Sequence, residues 1–449
     1  MTENAIEFGF IEKWLRTELE LTIDNVSYDL KISKGNLSEM ENGKRRMKKD
    51  QFLRFTSFYR IEFDFSDEVH REIFDLLCRL VDCLIYGPEY ESQPQEILSK
   101  VKENRNLYSC STGCLYLSVI DALGSLYSGD QNRAVNDFRK YGRMMDCYES
   151  DIQALLYLVF GIRAARSLLK EEAFLYLNRA LAVHSGERWP QLKGVIRMHL
   201  GRALMQFDSF DSGLEMTRLA RMQFYQYGNL RQAAICRYDE VLELIYMQAF
   251  NAALNILSEL EKSRAILSSQ KADDSMLSLM LLALVLKEDF VSALNLLRIQ
   301  ERQQSGLSEI FLLAPYLLYR QGDQKKAGKA IKELKPFAAE PAQKMFLDLL
   351  LQIMTGNLER IERQKNRLMQ LYARQYQWGS LMILSQLMIC FYRNWLTRIS
   401  GLDNQNPKAA DDCIQPSDPA EELHVSRLLI ESYAAWTGLL HHQIPNPAL

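Results

Sequence analysis

Apolar positions in the first sixty residues recur in four short helical sets. They are Phe10, Ile11, Trp14, Leu15 and Leu19; Ile23, Val26 and Leu30; Leu37 and Met40, joined by Ile32; and Phe52, Leu53, Phe55 and Phe58. The spacings predict four amphipathic helices around one small core. Thr22 is placed to cap a helix from Ile23 to Leu30, and Lys31 and Ile32 form a turn. Ser33 caps a second helix running to about Asn42, and Gly43 ends it. Two short helices joined this way have the layout of a helix-turn-helix, whose second helix enters a DNA major groove. The same pattern leaves Lys34, Gly35, Asn36, Ser38 and Glu39 on the outer side of that helix.

A longer stripe follows, with Ile73, Phe74, Leu77, Leu80, Val81 and Leu84 over Asp67 to Tyr86, closed by Gly87-Pro88. It predicts a connector helix that packs on the rest of the chain or on a second copy. From about residue 100 the pattern is helical throughout, without strand alternation. Phe210-Asp211-Ser212-Gly213-Leu214, Phe250-Asn251-Ala252-Ala253-Leu254 and Phe290-Val291-Ser292-Ala293-Leu294 recur every 40 residues. Ala173 lies 40 before Gly213, Gly161 lies 40 before Gly201, and Ala134 extends the series back by 39. Gly322-Asp323 with Ala327 and Gly356-Asn357 with Ile361 continue it at 34. A small residue recurring where each second helix begins lets that helix pack closely on its partner, which predicts about seven stacked hairpins between residues 110 and 375.

The end of the chain reads differently. Residues 400–417 are rich in Asp, Asn and Pro and read as an exposed loop. Asp418-Pro419-Ala420-Glu421 then opens a last helix striped with Leu423, Leu428, Leu429, Tyr433, Trp436 and Leu440. That stripe either caps the stack or pairs two copies. The resulting organisation is 1–65 head, 66–100 connector and linker, 101–399 repeats, and 400–449 loop and capping or dimerisation helix.

Charge sharpens the head more than the whole. The chain has 54 Lys and Arg against 57 Asp and Glu, a net −3 that excludes a protein coated in nucleic acid. Residues 31–60 nevertheless carry nine basic and three acidic side chains, whereas residues 1–30 carry two and seven. Lys44, Arg45, Arg46, Lys48 and Lys49 follow the second short helix directly. Alone, such a run is a solvated loop; behind a capped turn-helix unit it fits phosphate contact. Eight scattered cysteines, without a paired metal spacing, read as free thiols of a reducing cytoplasm. The N-terminal residues lack a signal-peptide pattern, and the longest apolar run, Met276 to Leu286, is too short to span a bilayer. A Gly-rich phosphate loop, a His-Glu-x-x-His string and a nucleophile string are absent, so no catalytic, metal or cofactor site is expected.

Two motifs carry resemblances. The string Ile32-Ser33-Lys34-Gly35-Asn36-Leu37-Ser38-Glu39-Met40-Glu41-Asn42-Gly43-Lys44 resembles the Xre/phage-repressor class of helix-turn-helix domains. That resemblance puts Lys34, Gly35 and Glu39 at base-facing positions, and Ser33, Asn42, Lys44 and Arg45 at phosphates. Glu41 matches a structural glutamate. Gly35 and Glu39 depart from strong base readers, since one has no side chain and the other would accept from cytosine. Ser128-Gly129-Asp130-Gln131-Asn132-Arg133-Ala134, Gln321-Gly322-Asp323-Gln324-Lys325-Lys326-Ala327 and Leu200-Gly201 resemble tetratricopeptide repeats. Extending that register puts Arg166, Arg202, Gln206, Tyr238, Tyr246, Tyr316, Tyr319 and Arg320 toward a groove, where Arg and Tyr suit a peptide's carboxylate and apolar side chains.

Together, head and repeats resemble the RRNPP family of bacterial peptide-pheromone receptors (the Rgg, PlcR and PrgX type). The resemblance implies an all-α protein, with a five-helix Xre-type head followed by a right-handed tetratricopeptide-like α-solenoid. It further implies a cytoplasmic homodimer without membrane contact, which binds a double-stranded DNA operator under control of a short signalling peptide. Two other readings stand beside it. In one, the repeats dock a protein partner instead of a peptide; in the other, the chain is an enzyme like the family's helical-repeat phosphatases.

Overall fold

The computed structural model describes residues 8–87, 93–128, 142, 144–262, 270–303, 313–338, 340–355, 358–374 and 378–399. The expected turn at Gly129–Ala134, the Gly356-Asn357 pair, Cys413, and the loop and last helix after residue 400 lie outside these residues. Among the described residues every regular element is helical, and extended pairing is limited to a single bridge between Asp64 and Ser111. The chain forms two compact units, Met1–Ala203 with Glu215–Cys236, and Leu204–Leu214 with Arg237–Leu449.

The first unit opens with α1 (Phe8–Glu18), α2 (Ile23–Asp29), α3 (Lys34–Glu41) and α4 (Lys49–Tyr59). The caps are those expected. Thr22 Oγ1 accepts from the Asn25 N–H and Ser33 Oγ from the Asn36 N–H, each at 3.2 Å. Gly43 adopts φ 68°, which ends α3 without a Cβ clash. The core consists of Phe8, Ile11, Trp14, Leu15, Val26, Leu37, Met40, Met47, Phe52 and Phe55. Leu19 and Leu53, expected inside, are exposed, and Phe10 and Phe58 are half-buried, because no neighbouring helix covers the outer edges of α1 and α4.

The connector is α5 (Asp67–Tyr86), and it packs on α8 (Cys114–Ser128), with α6 (Gln93–Glu103) and α7 (Arg105–Ser109) between them in sequence. Ile73, Leu77, Leu80 and Val81 are buried as the stripe predicts, together with Leu76 and Ile85. The head is fastened to the same helices. Trp14 Nε1 donates to Ser118 Oγ at 2.8 Å, and the Asp64 N–H donates to the Cys110 carbonyl at 2.7 Å. The head is therefore seated on α8 rather than tethered by a free linker.

The remaining described helices form six hairpins: α9 (Ser150–Arg166) with α10 (Lys170–Val183), α11 (Leu192–Gln206) with α12 (Phe210–Gln226), α13 (Leu230–Tyr246) with α14 (Phe250–Lys262), α15 (Gln270–Leu286) with α16 (Phe290–Gln303), α17 (Ala314–Arg320) with α18 (Gln324–Leu334), and α19 (Pro341–Thr355) with α20 (Leu358–Arg374). A final helix, α21 (Trp378–Ile399), packs on α15 and α20.

The sequence period reappears in the backbone. Leu168, Asp208, Gln248 and Glu288, each 40 apart, and then Gly322, all turn with positive φ between the two helices of a hairpin. After each, one N–H reaches back to a carbonyl of the first helix: Leu169 to Ala164, Ser209 to Leu204, Ala249 to Leu244, Asp289 to Leu284 and Asp323 to Leu318. This is a Schellman closure, and glycine at Gly322 is the residue it prefers. Four residues later come Ala173, Gly213, Ala253, Ala293 and Ala327, all buried at the base of the second helix. In the first unit Gly161, inside the first helix α9, is also kept small by packing, since a Cβ there would lie 2.6 Å from Leu177 Cγ on α10. In the second unit one apolar core runs from Phe210 and Val241 through Leu257, Leu281, Leu297, Leu317 and Leu350 to Leu387 and Trp395.

Candidate functional site

The head presents a continuous polar surface built on α3. Leu37 and Met40 anchor the helix inward, and Lys34, Gly35, Asn36 and Glu39 are consequently all exposed on its other side. A Cβ added at Gly35 would meet nothing within 4 Å, so packing does not require glycine there. Ser33 is the N-cap and Asn42 the C-cap. Asn42 Nδ2 donates to the Ser38 carbonyl at 2.9 Å, while Lys13 Nζ from α1 donates to Asn42 Oδ1 at 3.1 Å. Ser38 is half-buried beneath that contact.

The basic turn folds back onto this surface. The Arg45 N–H donates to the Glu39 carbonyl, and Arg45 Nη1 donates to Asn36 Oδ1, both at 3.1 Å. Lys44, Arg45 and Arg46 are exposed, and the Arg45 guanidinium lies beside the first turn of α3. Nine of the ten residues proposed from the sequence are exposed, and Ser38 is half-buried. One of them is partly neutralised: Lys34 Nζ lies 2.7 Å from Asp24 on α2. Both groups are exposed, so the pair is worth little and yields to a phosphate at small cost.

Behind α3 lies a buried ionic network. Arg16 grips Glu41 through two hydrogen bonds of 2.7 Å, which fixes the end of α3 to α1 and accounts for Glu41 being buried. Tyr59 Oη donates to Glu12 Oε1 at 2.7 Å. Burial first, and the neighbouring Glu41 carboxylate second, push Glu12 up to about 8. A raised folded-state value means that stability is fully present below the usual carboxylate range and declines as pH rises toward 8, because the unfolded chain ionises first. Glu12→Gln is therefore expected to match wild type near pH 4 and to exceed it by a few kcal/mol near pH 8. Hydrogen-exchange protection of α1 and α3 against pH checks this, and parallel profiles would refute the assignment.

The residues proposed for a ligand groove divide between the units. In the first, Arg166 is exposed at the end of α9, with its Nη1 3.2 Å from the Leu126 carbonyl, and Arg202 is half-buried on α11. Both bear on His199. Burial, then the charges of Arg202 and Arg166, hold that imidazole down near 3, so it is neutral at physiological pH. In the second unit Gln206, Tyr238, Tyr246 and Tyr319 are half-buried, and Tyr246 packs its ring 5.4 Å from that of Phe210. Tyr316 is fully buried in the core. Arg320 donates to the Tyr316 hydroxyl at 2.8 Å, pairs with Glu288 at 3.1 Å and stacks over the Phe290 ring at 4.4 Å. Arg320 therefore ties one hairpin to the next in this structure.

Three groups escaped the sequence reading. Gly9 lies where α1 touches the backbone of α3, His199 lies between two proposed arginines, and Asp151 holds the loop after α10. A lone Gly, His or Asp in a helical pattern gives no signal, because its role depends on a partner far away in sequence.

In fold, the chain is similar to NprR. The apo form of the quorum sensor NprR from B. thuringiensis superposes with a TM-score of 0.59, at 12% identity, covering 81% of this chain and 99% of that one. NprR in complex with its cognate peptide NprX superposes with a TM-score of 0.52, at 11% identity, over 80% and 98% of the two chains. No family model and no curated protein sequence matches the chain. At these identities the likeness to NprR establishes the helical-repeat fold. Among the described residues no group of three or more His, Cys, Asp and Glu could hold a metal ion, and no helix is long and apolar enough to cross a membrane.

Proposed function

We propose that the chain is a transcriptional regulator of the RRNPP kind, a homodimer whose Xre-like head binds operator DNA and whose repeats take a short signalling peptide. The observation that carries this reading is the exposed face of α3, capped by Ser33 and flanked by Lys44, Arg45 and Arg46, on a chain whose repeats share the fold of a peptide-binding quorum sensor. Ser33, Lys44, Arg45 and Arg46 contact phosphates; Lys34, Asn36 and Glu39 face base edges. With so few strong readers, operator shape and half-site spacing carry much of the specificity.

On the repeats, Arg166 and Arg202 suit the carboxylate of a peptide, with His199 beside them as a neutral donor or acceptor. Tyr238, Tyr246 and Tyr319 offer partly exposed rings to apolar side chains, and Gln206 offers an amide to a peptide backbone. Tyr316 serves this set indirectly, by positioning Arg320. The peptide acts by binding one arrangement of the dimer better than another. A tenfold change in population corresponds to about 1.4 kcal/mol of differential binding.

The test is DNA binding by the full chain, using duplexes that flank its own gene. Arg45→Ala with Arg46→Ala is expected to weaken binding on the order of tenfold on every sequence and to lower the salt slope by about two. Gly35→Ala is expected to raise head stability by up to about 1 kcal/mol while changing DNA affinity. Unchanged affinity in both variants would sink the assignment of α3. Native mass spectrometry with peptides encoded beside the gene tests the repeats, and saturable binding lost in Arg166→Ala with Arg202→Ala is the expected result.

A further inference from the structure

We propose that the chain has a second DNA-contacting surface, a basic face on α18 and α20 that engages the sugar-phosphate backbone of duplex DNA. The outer charges of three earlier second helices cancel or are slightly acidic. On α10 two basic residues, Lys170 and Arg179, face two acids; on α12 Arg218 faces Asp211 and Glu215; on α14 Lys262 faces Glu259 and Glu261. On α18, by contrast, four exposed lysines (Lys325, Lys326, Lys329 and Lys332) face one exposed acid, Glu333. On α20 four exposed arginines (Arg360, Arg363, Arg367 and Arg374) face one exposed acid, Glu359. A net charge of −3 for the whole chain makes this concentration distinctive.

Several of these charges are weakly neutralised within the unit. Lys326 pairs with Asp323 at 2.6 Å, Lys329 with Glu333 at 3.6 Å and Arg363 with Glu359 at 3.2 Å. All three pairs are local and largely exposed, and so are worth little. Among the described residues Lys325, Lys332, Arg367 and Arg374 have no ion-pair partner. Because α18 and α20 are second helices of consecutive hairpins, stacking puts their outer faces on the same side. Arg360 to Arg374 spans about 21 Å of helix, a length over which a duplex carries about twelve phosphates.

The absence of apolar anchors selects among anionic partners. Neither α18 nor α20 exposes a large hydrophobic side chain; Ala327, Ile331, Ile361 and Leu368 all face inward. The nearest exposed aromatic, Phe337, lies beyond the end of α18. A protein interface needs a buried aromatic or aliphatic centre, and an interfacial membrane helix needs an exposed apolar stripe. A phosphate lattice needs neither.

The experiment uses the full chain and a labelled duplex of random sequence, with affinity measured against salt. Lys325, Lys329, Lys332, Arg363 and Arg367 are replaced together by Gln, with and without Arg45→Ala and Arg46→Ala in the head. Losing five phosphate contacts lowers the salt slope by about four to five in both backgrounds, and matching thermal melts establish that the variants fold. An unchanged slope overturns the proposal, as does loss of all DNA affinity in the head variant alone. So does a five-fold Gln variant that loses binding to phosphatidylserine vesicles or to polyglutamate while keeping its DNA slope. The head and repeat surfaces are scored by different variants, so failure of one reading leaves the other measurable.

Discussion

Replacing Gly9 by alanine is expected to destabilise the head by about 3 kcal/mol or more and, on the reading proposed above, to abolish DNA binding. A Cβ on Gly9 would lie 2.0 Å from the Met40 carbonyl oxygen and 2.7 Å from its carbon. Those atoms belong to the backbone of α3, so no rotamer change relieves the clash, and α1 and α3 must separate. Separation also strains the Arg16–Glu41 hydrogen bonds and the Trp14–Ser118 contact that seats the head on α8. Hydrogen exchange in the full chain reads the effect, with protection lost in α3 while α9 and α10 stay protected. Gly35→Ala is the control, since it adds the same methyl to open space on the other face of the same helix. Equal protection of α3 in both variants would contradict the close approach of the two backbones.

Asp151→Ala is expected to cost about 3 kcal/mol, in the repeats rather than the head. The Asp151 carboxylate is buried at the start of α9. Its Oδ1 accepts from the Ser185 N–H and hydroxyl and from the Gly186 N–H, at 2.9 to 3.0 Å; its Oδ2 accepts from the Arg188 N–H at 2.8 Å. Burial by itself would raise its pKa, but the backbone donors Arg188 and Gly186, the Ser185 hydroxyl and nearby His184 outweigh burial and hold it near 2. Without the carboxylate, three backbone N–H groups lose their acceptor. Arg188, which pairs with Glu149 at 2.7 Å and stacks 4.7 Å over Phe74 of the connector, then loses its fixed place. A depressed folded-state value means that the stabilisation is fully present above about pH 4 and is lost as pH falls toward 2. Denaturation of wild type and variant at pH 7 and at pH 2.5 checks the sign, because the difference between them should shrink at the lower pH. A constant difference would show that Asp151 acts through packing alone.

The local features of the head were legible because their causes are local. Thr22, Ser33 and Gly43 cap their helices through groups three or four residues away, and the outward face of α3 follows once Leu37 and Met40 turn inward. The period of the hairpins was legible for the same reason, since a Schellman turn and the small residue after it recur as one unit. Leu168, Gln248 and Glu288 hide that turn behind residues that disfavour positive φ, whereas Asp208 tolerates it and Gly322 announces it. Depth was harder to read. Leu19 and Leu53 fit the helical stripe as well as Leu15 and Phe52 do, yet nothing covers them. Tyr316 shares the repeat register of Tyr319, yet only Tyr316 is sealed in the core.

By itself, then, the sequence determined where helices start and stop, that they pair into hairpins of a nearly constant period, and which side of α3 turns inward. These rest on hydrogen bonds and side-chain spacing within a few residues, which act wherever the segment lies. The tertiary structure alone decided that Gly9 must have no side chain, that Glu12 keeps its proton to higher pH, and that Asp151 closes a loop more than thirty residues away. Those outcomes depend on which segments meet and how much water they exclude, and no short window of the chain contains both partners.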